Sequence, residues 1–228
     1  NSFLFGAELK ALKAHPEFQN DINRNSLCLL LRHNTISSPH SIYNGISKLP
    51  PGSILRLSLC NKKVEVEQYW DIKRVVQAAL DNPFEVTEKQ AILELESILS
   101  TSVVDQMMSD VPLGAFLSGG IDSSTIVALM QSQSSSKIKT FTIGFNEEGY
   151  DEAKHAKDVA NHLGTEHTEL YVTASEALNV IPQLPMMFDE PFSDSSQIPT
   201  YLVSKLAKQS VDVSLSGDGG DELFGGYN

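Results

Sequence analysis

Residues Leu117 to Ser124 read Leu-Ser-Gly-Gly-Ile-Asp-Ser-Ser, and the fold of the chain turns on how they are read. Leu113 to Leu117 is a short run of buried-strand type, Gly119 and Gly120 break it, and Asp122 to Met130 brings Ile126, Val127 and Met130 to helical spacing. The pattern predicts a strand, a tight turn and a helix N-terminus. Glycines let the backbone approach a ligand, the first helical N–H groups have no internal partner, and the helix dipole favours negative charge at that end. An anion is expected there, phosphate above all. The stretch lacks the Lys of a GxxxxGK[ST] loop. It offers the hydroxyls of Ser118, Ser123 and Ser124, and Asp122 would repel polyphosphate unless a divalent cation lay between them. Magnesium is therefore implied.

SGGIDSS resembles the SGGxDS pyrophosphate loop of the ATP pyrophosphatases, which cleave ATP between its α and β phosphates to make acyl-adenylates; the plain alternative is a Gly-Ser turn capping a helix. Beyond the loop's helix, Gln131 to Ser136 is a polar connection, and Ile138 to Phe145 alternates as a strand with Phe141, Ile143 and Phe145 on one face. Asp151 to Leu163 carries Ala153, Ala156, Ala160 and Leu163 on one stripe and stops at Gly164, and Thr165 to Val172 is the next strand. This alternation predicts right-handed crossovers and a parallel sheet, with ligands at the carboxyl ends of the strands. Val211 to Leu215 reads as another buried strand, running into SGDGGDELFGGY from Ser216 to Tyr227. Parallel strands end on one edge, so Gly217, Asp218 and Asp221 are expected beside the first loop. Asp122 and Asp221 could then share Mg²⁺ on the pyrophosphate, while backbone groups of Ser216 and Gly217 meet the ribose and adenine. A calcium-type turn would need the alternating ligands and closing Glu of an EF-hand, which are missing.

Upstream, Thr87 with Gln90 has the signature of a capping box, followed by Ile92, Leu95, Leu99, Val103 and Gln106 at helical spacing. Met107 and Met108 read as core filling. Asp71 to Val86, with Asn82-Pro83, is the expected linker. Before it, Val64 to Trp70 alternates like an exposed strand, and Pro50, Pro51 and Gly52 set up a reversal within Tyr43 to Leu57. Phe3 to Leu12 has a strand-like start that turns to a short helical pattern.

A chain of 228 residues accommodates one large or two modest domains, and 41% hydrophobic with 20% charged content fits a globular protein. The formal net charge of −12 argues against a broad nucleic-acid surface. No apolar run reaches membrane-spanning length, and the start has neither a basic n-region nor an initiator Met, so the sequence reads as a fragment. Cys28 and Cys60 suggest no disulfide framework or CxxC site, and a reducing cytoplasm is the expected compartment. His155, His162 and His167 read as solvated or structural, because His167 lies beyond the Gly164 break. Asp189, Glu190 and Asp194 crowd around Pro191, where they could hold Mg²⁺ or an amino group, or form a solvated loop ahead of the Ile198, Leu202, Leu206 helix.

With SGGIDSS and SGDGGDELFGGY separated by two βα units, nearly the whole chain resembles the glutamine-dependent asparagine synthetases. FLFGAELKAL matches their FASExKAL segment, with Ala7 where Ser is usual, and YNGISKLPPGSILRL matches their turn-and-strand element. The resemblance implies an α/β, parallel-sheet, adenine-nucleotide alpha-hydrolase-like (ATP pyrophosphatase) domain over residues 81–228. Ahead of it, residues 1–80 would be the β-rich tail and linker of an N-terminal-nucleophile glutaminase. That glutaminase uses an N-terminal Cys, a place neither Cys28 nor Cys60 can fill, so this chain is not expected to hydrolyse glutamine. ATP and Mg²⁺ are the implied cofactors, with Leu117, Ser118, Gly119, Gly120, Asp122, Ser123, Ile143, Ser216, Gly217 and Asp221 at the nucleotide and Asp122 and Asp221 at the metal. Ile143 would lie against adenine. The implied substrates are ATP, aspartate and ammonia from glutamine; nucleic acid and membrane are not implied, and a homodimer is compatible. Aspartate would be adenylated on its β-carboxylate with loss of pyrophosphate, then attacked by ammonia to give asparagine and AMP. Asp218, where many members carry Glu, is the implied proton acceptor for the amine. Ser195 falls where some members carry Arg on the acceptor side, and a phosphate-contacting Lys would lie beyond Asn228. The alternatives are a relative adenylating another carboxylate, such as a β-lactam synthetase-like cyclase or an amidase of surface-sugar carboxyl groups, and a nucleotide-binding module without turnover.

Overall fold

The computed structural model of the chain describes residues 2–145 and 152–226 and divides it into two compact units. The first comprises Asn1–Glu85 together with Pro182–Asp194, and the second Val86–Ile181 together with Ser195–Asn228. The expected helix start at Asp151 and the motif's last residue, Tyr227, lie outside the described residues.

In the first unit, helices α1 (Leu9–Lys13), α2 (Arg24–His33) and α3 (Ile72–Asp81) accompany an antiparallel pair, β1 (Ser53–Leu57) and β2 (Val64–Gln68). The Asn23 side chain starts α2 by accepting from the N–H groups of Asn25 and Ser26, and Asn34 ends it at φ +61. Two expectations are corrected here. The stretch Asp71 to Val86 is no plain linker, because the Asp71 carboxylate accepts from the Lys73 N–H at 3.0 Å and caps α3. The strand-like start at Phe3 forms no strand among the described residues.

The second unit opens with α4 (Glu88–Met107), whose capping box is formed as read: Gln90 N–H donates to Thr87 Oγ1, and Thr87 N–H to Gln90 Oε1 at 3.1 Å. There follow β3 (Leu113–Phe116), α5 (Ile121–Gln133), β4 (Lys139–Phe145), α6 (Glu152–Leu163), β5 (Glu166–Val172) and α7 (Ala174–Leu178). A short helix α8 (Leu184–Met187) belongs to the first unit; α9 (Gln197–Ala207), β6 (Val213–Leu215) and α10 (Gly220–Phe224) complete the second. The strands form one parallel sheet in the order β5-β4-β3-β6, the α/β architecture expected.

Side chains alternate across β3 and divide the core. Ala115 and Leu117 join Val103 of α4, Val127 and Met130 of α5, and Ala156 and Ala160 of α6 on one face. Phe116 packs with Phe141, Leu206, Ala207 and Val211 on the other. Two burial expectations fail. Met108 ends α4 and is 79% exposed, and Val213 is 39% exposed because β6 pairs on one side only among the described residues. Within those residues no helix is long and apolar enough to cross a membrane.

Candidate functional site

The first loop leaves the end of β3 and enters α5 through Gly119 and Gly120. Gly119 sits at φ +83, and a Cβ there would meet the backbone nitrogen of Ala156 at 2.7 Å, so α6 leaves room for glycine alone. Ser123 and Ser118 hold the turn. Their hydroxyls lie 2.9 Å apart, Ser118 N–H donates to Ser123 Oγ at 3.2 Å, and Gly120 N–H donates to Ser118 Oγ at 3.3 Å. Gly120 itself gives α5 no side-chain cap, and Asp122 lies in its first turn. Leu117 is 1% exposed, with its N–H donating to the Phe141 carbonyl at 3.0 Å; it anchors the loop from below.

The second loop leaves the end of β6, the parallel neighbour of β3. Ser216 Oγ donates to the Asp218 carboxylate at 3.0 Å, while Asp218 N–H donates back to Ser216 Oγ at 3.4 Å. Gly217 lies on the first turn of α5, where a Cβ would meet the backbone nitrogen of Ser123 at 2.6 Å. Gly220 lies against the Asp122 side chain, and a Cβ there would collide with its carboxylate. Asp221 follows directly in the first turn of α10. The glycines thus bring Asp122 and the Gly217–Asp221 turn together, at the carboxyl ends of two adjacent strands. Ile143 sits on β4 two residues after Phe141 and therefore on the same side of the sheet.

Gly220 was absent from the expected site residues, although it approaches Asp122 as closely as any. The glycine pair in GDGGD was the available signal. Among the described residues no group of three or more His, Cys, Asp or Glu side chains gathers as a metal site, and the Asp221 carboxylate lies against Gly226. The histidines are dispersed. His155 is exposed on α6 beside Gly119, and His167 on β5 is half-buried with Nδ1 2.9 Å from Thr140 Oγ1. Burial lowers the His167 pKa, and the buried Nε2 has no hydrogen-bond partner among the described residues.

Asp189 and Glu190 lie in neither loop. They belong to the first unit, where Asp189 accepts from the N–H groups of Leu9 and Lys10 and Glu190 from that of Ile42. They are not a solvated loop: each is largely buried and pairs with a lysine amino group of the same unit, Asp189 with Lys10 and Glu190 with Lys48.

A parallel α/β sheet with two glycine-rich acidic turns at the carboxyl ends of adjacent strands defines an α/β protein whose candidate site is built from loops. The family follows from comparison: the asparagine synthase model matches residues 94–228 and a glutamine amidotransferase domain model matches residues 1–70, and the chain belongs to the asparagine synthase family. It is 39% identical, over its full length, to 43% of a putative glutamine-hydrolysing asparagine synthetase 2 of Methanocaldococcus jannaschii. Over 98% of its length it is 35% identical to 34% of the glutamine-hydrolysing asparagine synthetase 1 of Bacillus subtilis. The chain therefore spans less than half the length of these curated relatives. An ammonia-dependent NAD synthetase from Campylobacter jejuni is similar over 60% of each chain at 12% identity and a TM-score of 0.42.

Proposed function

We propose that this chain contributes the nucleotide-binding half of a glutamine-dependent asparagine synthetase, which adenylates the β-carboxylate of aspartate and amidates it. The observation that carries this reading is the contact of Gly217 and Gly220 with Ser123 and Asp122, because it joins two acidic loops into a single cradle. A carboxylate is a poor electrophile, and adenylation replaces its oxygen by a phosphate ester that leaves readily. The carboxylate oxygen attacks the α-phosphorus and pyrophosphate departs; ammonia then attacks the acyl carbon and AMP departs. In this scheme Ser118, Ser123 and the uncapped first turn of α5 orient the phosphates, Leu117, Gly119 and Gly120 shape the turn, and Ser216, Gly217 and Ile143 meet the ribose and adenine. Asp122 and Asp221 would hold Mg²⁺, which supplies charge stabilisation for the departing pyrophosphate. Asp218, oriented by the Ser216 hydroxyl, takes the proton released by the attacking amine.

The domain assignment follows the same reading, with residues 1–80 as the end of the amidotransferase domain and its linker, and residues 81–228 as the start of the ATP pyrophosphatase domain. The test is pyrophosphate release by the full-length protein from Mg-ATP with aspartate and ammonia. Aspartate-dependent release with stoichiometric asparagine is expected. Release only with another carboxylate would move the protein to a sister amidotransferase, and nucleotide binding without release would make it a non-catalytic module.

A further inference from the structure

Asp189 and Glu190 lie on Pro182–Asp194, a segment whose sequence falls within the asparagine synthase match but whose contacts belong to the unit carrying the amidotransferase match. Asp189 accepts from the Leu9 N–H at 2.5 Å and the Lys10 N–H at 3.2 Å, and pairs with the Lys10 ammonium at 3.2 Å. Lys10 also donates to the Met187 carbonyl at 2.9 Å. Glu190 accepts from the Ile42 N–H at 2.7 Å and pairs with Lys48, which in turn donates to the Ile36 carbonyl at 2.6 Å. The Ser193 N–H donates to the Asn34 carbonyl at 2.7 Å. The two carboxylate side chains keep only 16% and 12% of their exposure. Charge-assisted bonds to backbone N–H groups, shielded from water, hold far better than exposed ion pairs.

The residues on either side of this segment, Ile181 and Ser195, belong to the second unit, so the chain enters the first unit and returns. A small nitrogen nucleophile made by one catalytic half is lost to solvent unless the other half is held ready for it. We propose that Asp189 and Glu190 are positioning residues that fasten Pro182–Asp194 to the N-terminal unit and thereby couple nitrogen release to amide formation, an inference resting on the function proposed above.

The test compares the full-length protein with Glu190→Gln, which keeps an acceptor for the Ile42 N–H but loses the charge, and with the Asp189→Ala/Glu190→Ala double variant. For the double variant, glutamine-dependent amide formation should fall about tenfold while ammonia-dependent formation and glutamate release stay within about twofold. Glu190→Gln should lie between it and the wild type. Amide hydrogen exchange over residues 182–194, and at Leu9, Lys10 and Ile42, should accelerate in the same order. Equal losses with both nitrogen sources, or no loss with either, would overturn the coupling role. A wild-type protein that makes no amide from either source would instead sink the proposed function, and unchanged exchange in the double variant would then overturn the fastening by itself.

Discussion

Asp122 has two neighbours that only glycine permits, Gly217 beside its backbone and Gly220 beside its carboxylate, so its side chain is held where the two loops meet. Asp122→Ala in the full-length protein should lower Mg²⁺-dependent pyrophosphate release by about 10²-fold or more, with the melting temperature little changed. Near-normal turnover would remove the metal role. Gly217→Ala tests the cradle itself. Its new Cβ would lie 2.6 Å from the Ser123 nitrogen, a clash that costs about 1–3 kcal/mol and moves the loops apart. Calorimetric titration should show weakened Mg-ATP binding, and unchanged affinity would mean that the loops do not share the nucleotide. His167 sets a pH dependence. Its folded pKa is lowered from 6.5 mainly by burial, with Lys157 adding to the shift and Glu169 opposing it. The unfolded chain therefore binds that proton more readily, so the stability His167 contributes is complete above the ordinary histidine value and is lost as pH falls through the depressed folded one. The urea midpoint should drop as pH falls below the ordinary histidine value, and drop less in His167→Asn.

At the scale of elements, α4 shows local and tertiary forces acting separately. Thr87 and Gln90 exchange hydrogen bonds at its start, yet Val103 is its one buried residue among those described. Thr87→Ala should cost about 1 kcal/mol, read as a lower denaturation midpoint with unchanged ATP affinity, because the cap lies at the far end of the helix from the loop that β3 feeds. The N-terminus of α5 is different in kind. It begins at a glycine with no side-chain cap, and Gly217 of the second loop packs onto its first turn at the Ser123 nitrogen.

For the whole molecule, charge is the governing quantity. This chain, with net charge −12 and with three aspartates and no Lys or Arg among its candidate site residues, disfavours a polyphosphate unless a cation or backbone N–H groups offset the carboxylates. Removing divalent cations with a chelator should weaken ATP binding to the full-length protein by at least about tenfold, restored by added Mg²⁺. Metal-independent affinity would show that cationic side chains outside these loops carry the phosphates.

Strands β3, β4 and β5 and helices α4, α5 and α6 were legible in the sequence, because the amphipathic period and the caps are local properties of neighbouring residues. So was the pairing of SGGIDSS with SGDGGDELFGGY on one sheet edge, since parallel connectivity leaves little choice. Helix α3 was not, because Asn82-Pro83 directs attention to its end and hides the Asp71 cap at its start. Nor was the role of Asp189 and Glu190: their partners Leu9, Lys10, Ile42 and Lys48 lie more than a hundred residues away, and no local pattern encodes so distant a bond. The sequence by itself determined the α/β class and the chemistry that the two loops can offer. Only the tertiary structure decided which carboxylates remain at the loops and which are consumed in holding the chain, because that depends on where distant backbone N–H groups and ammonium groups arrive when it folds.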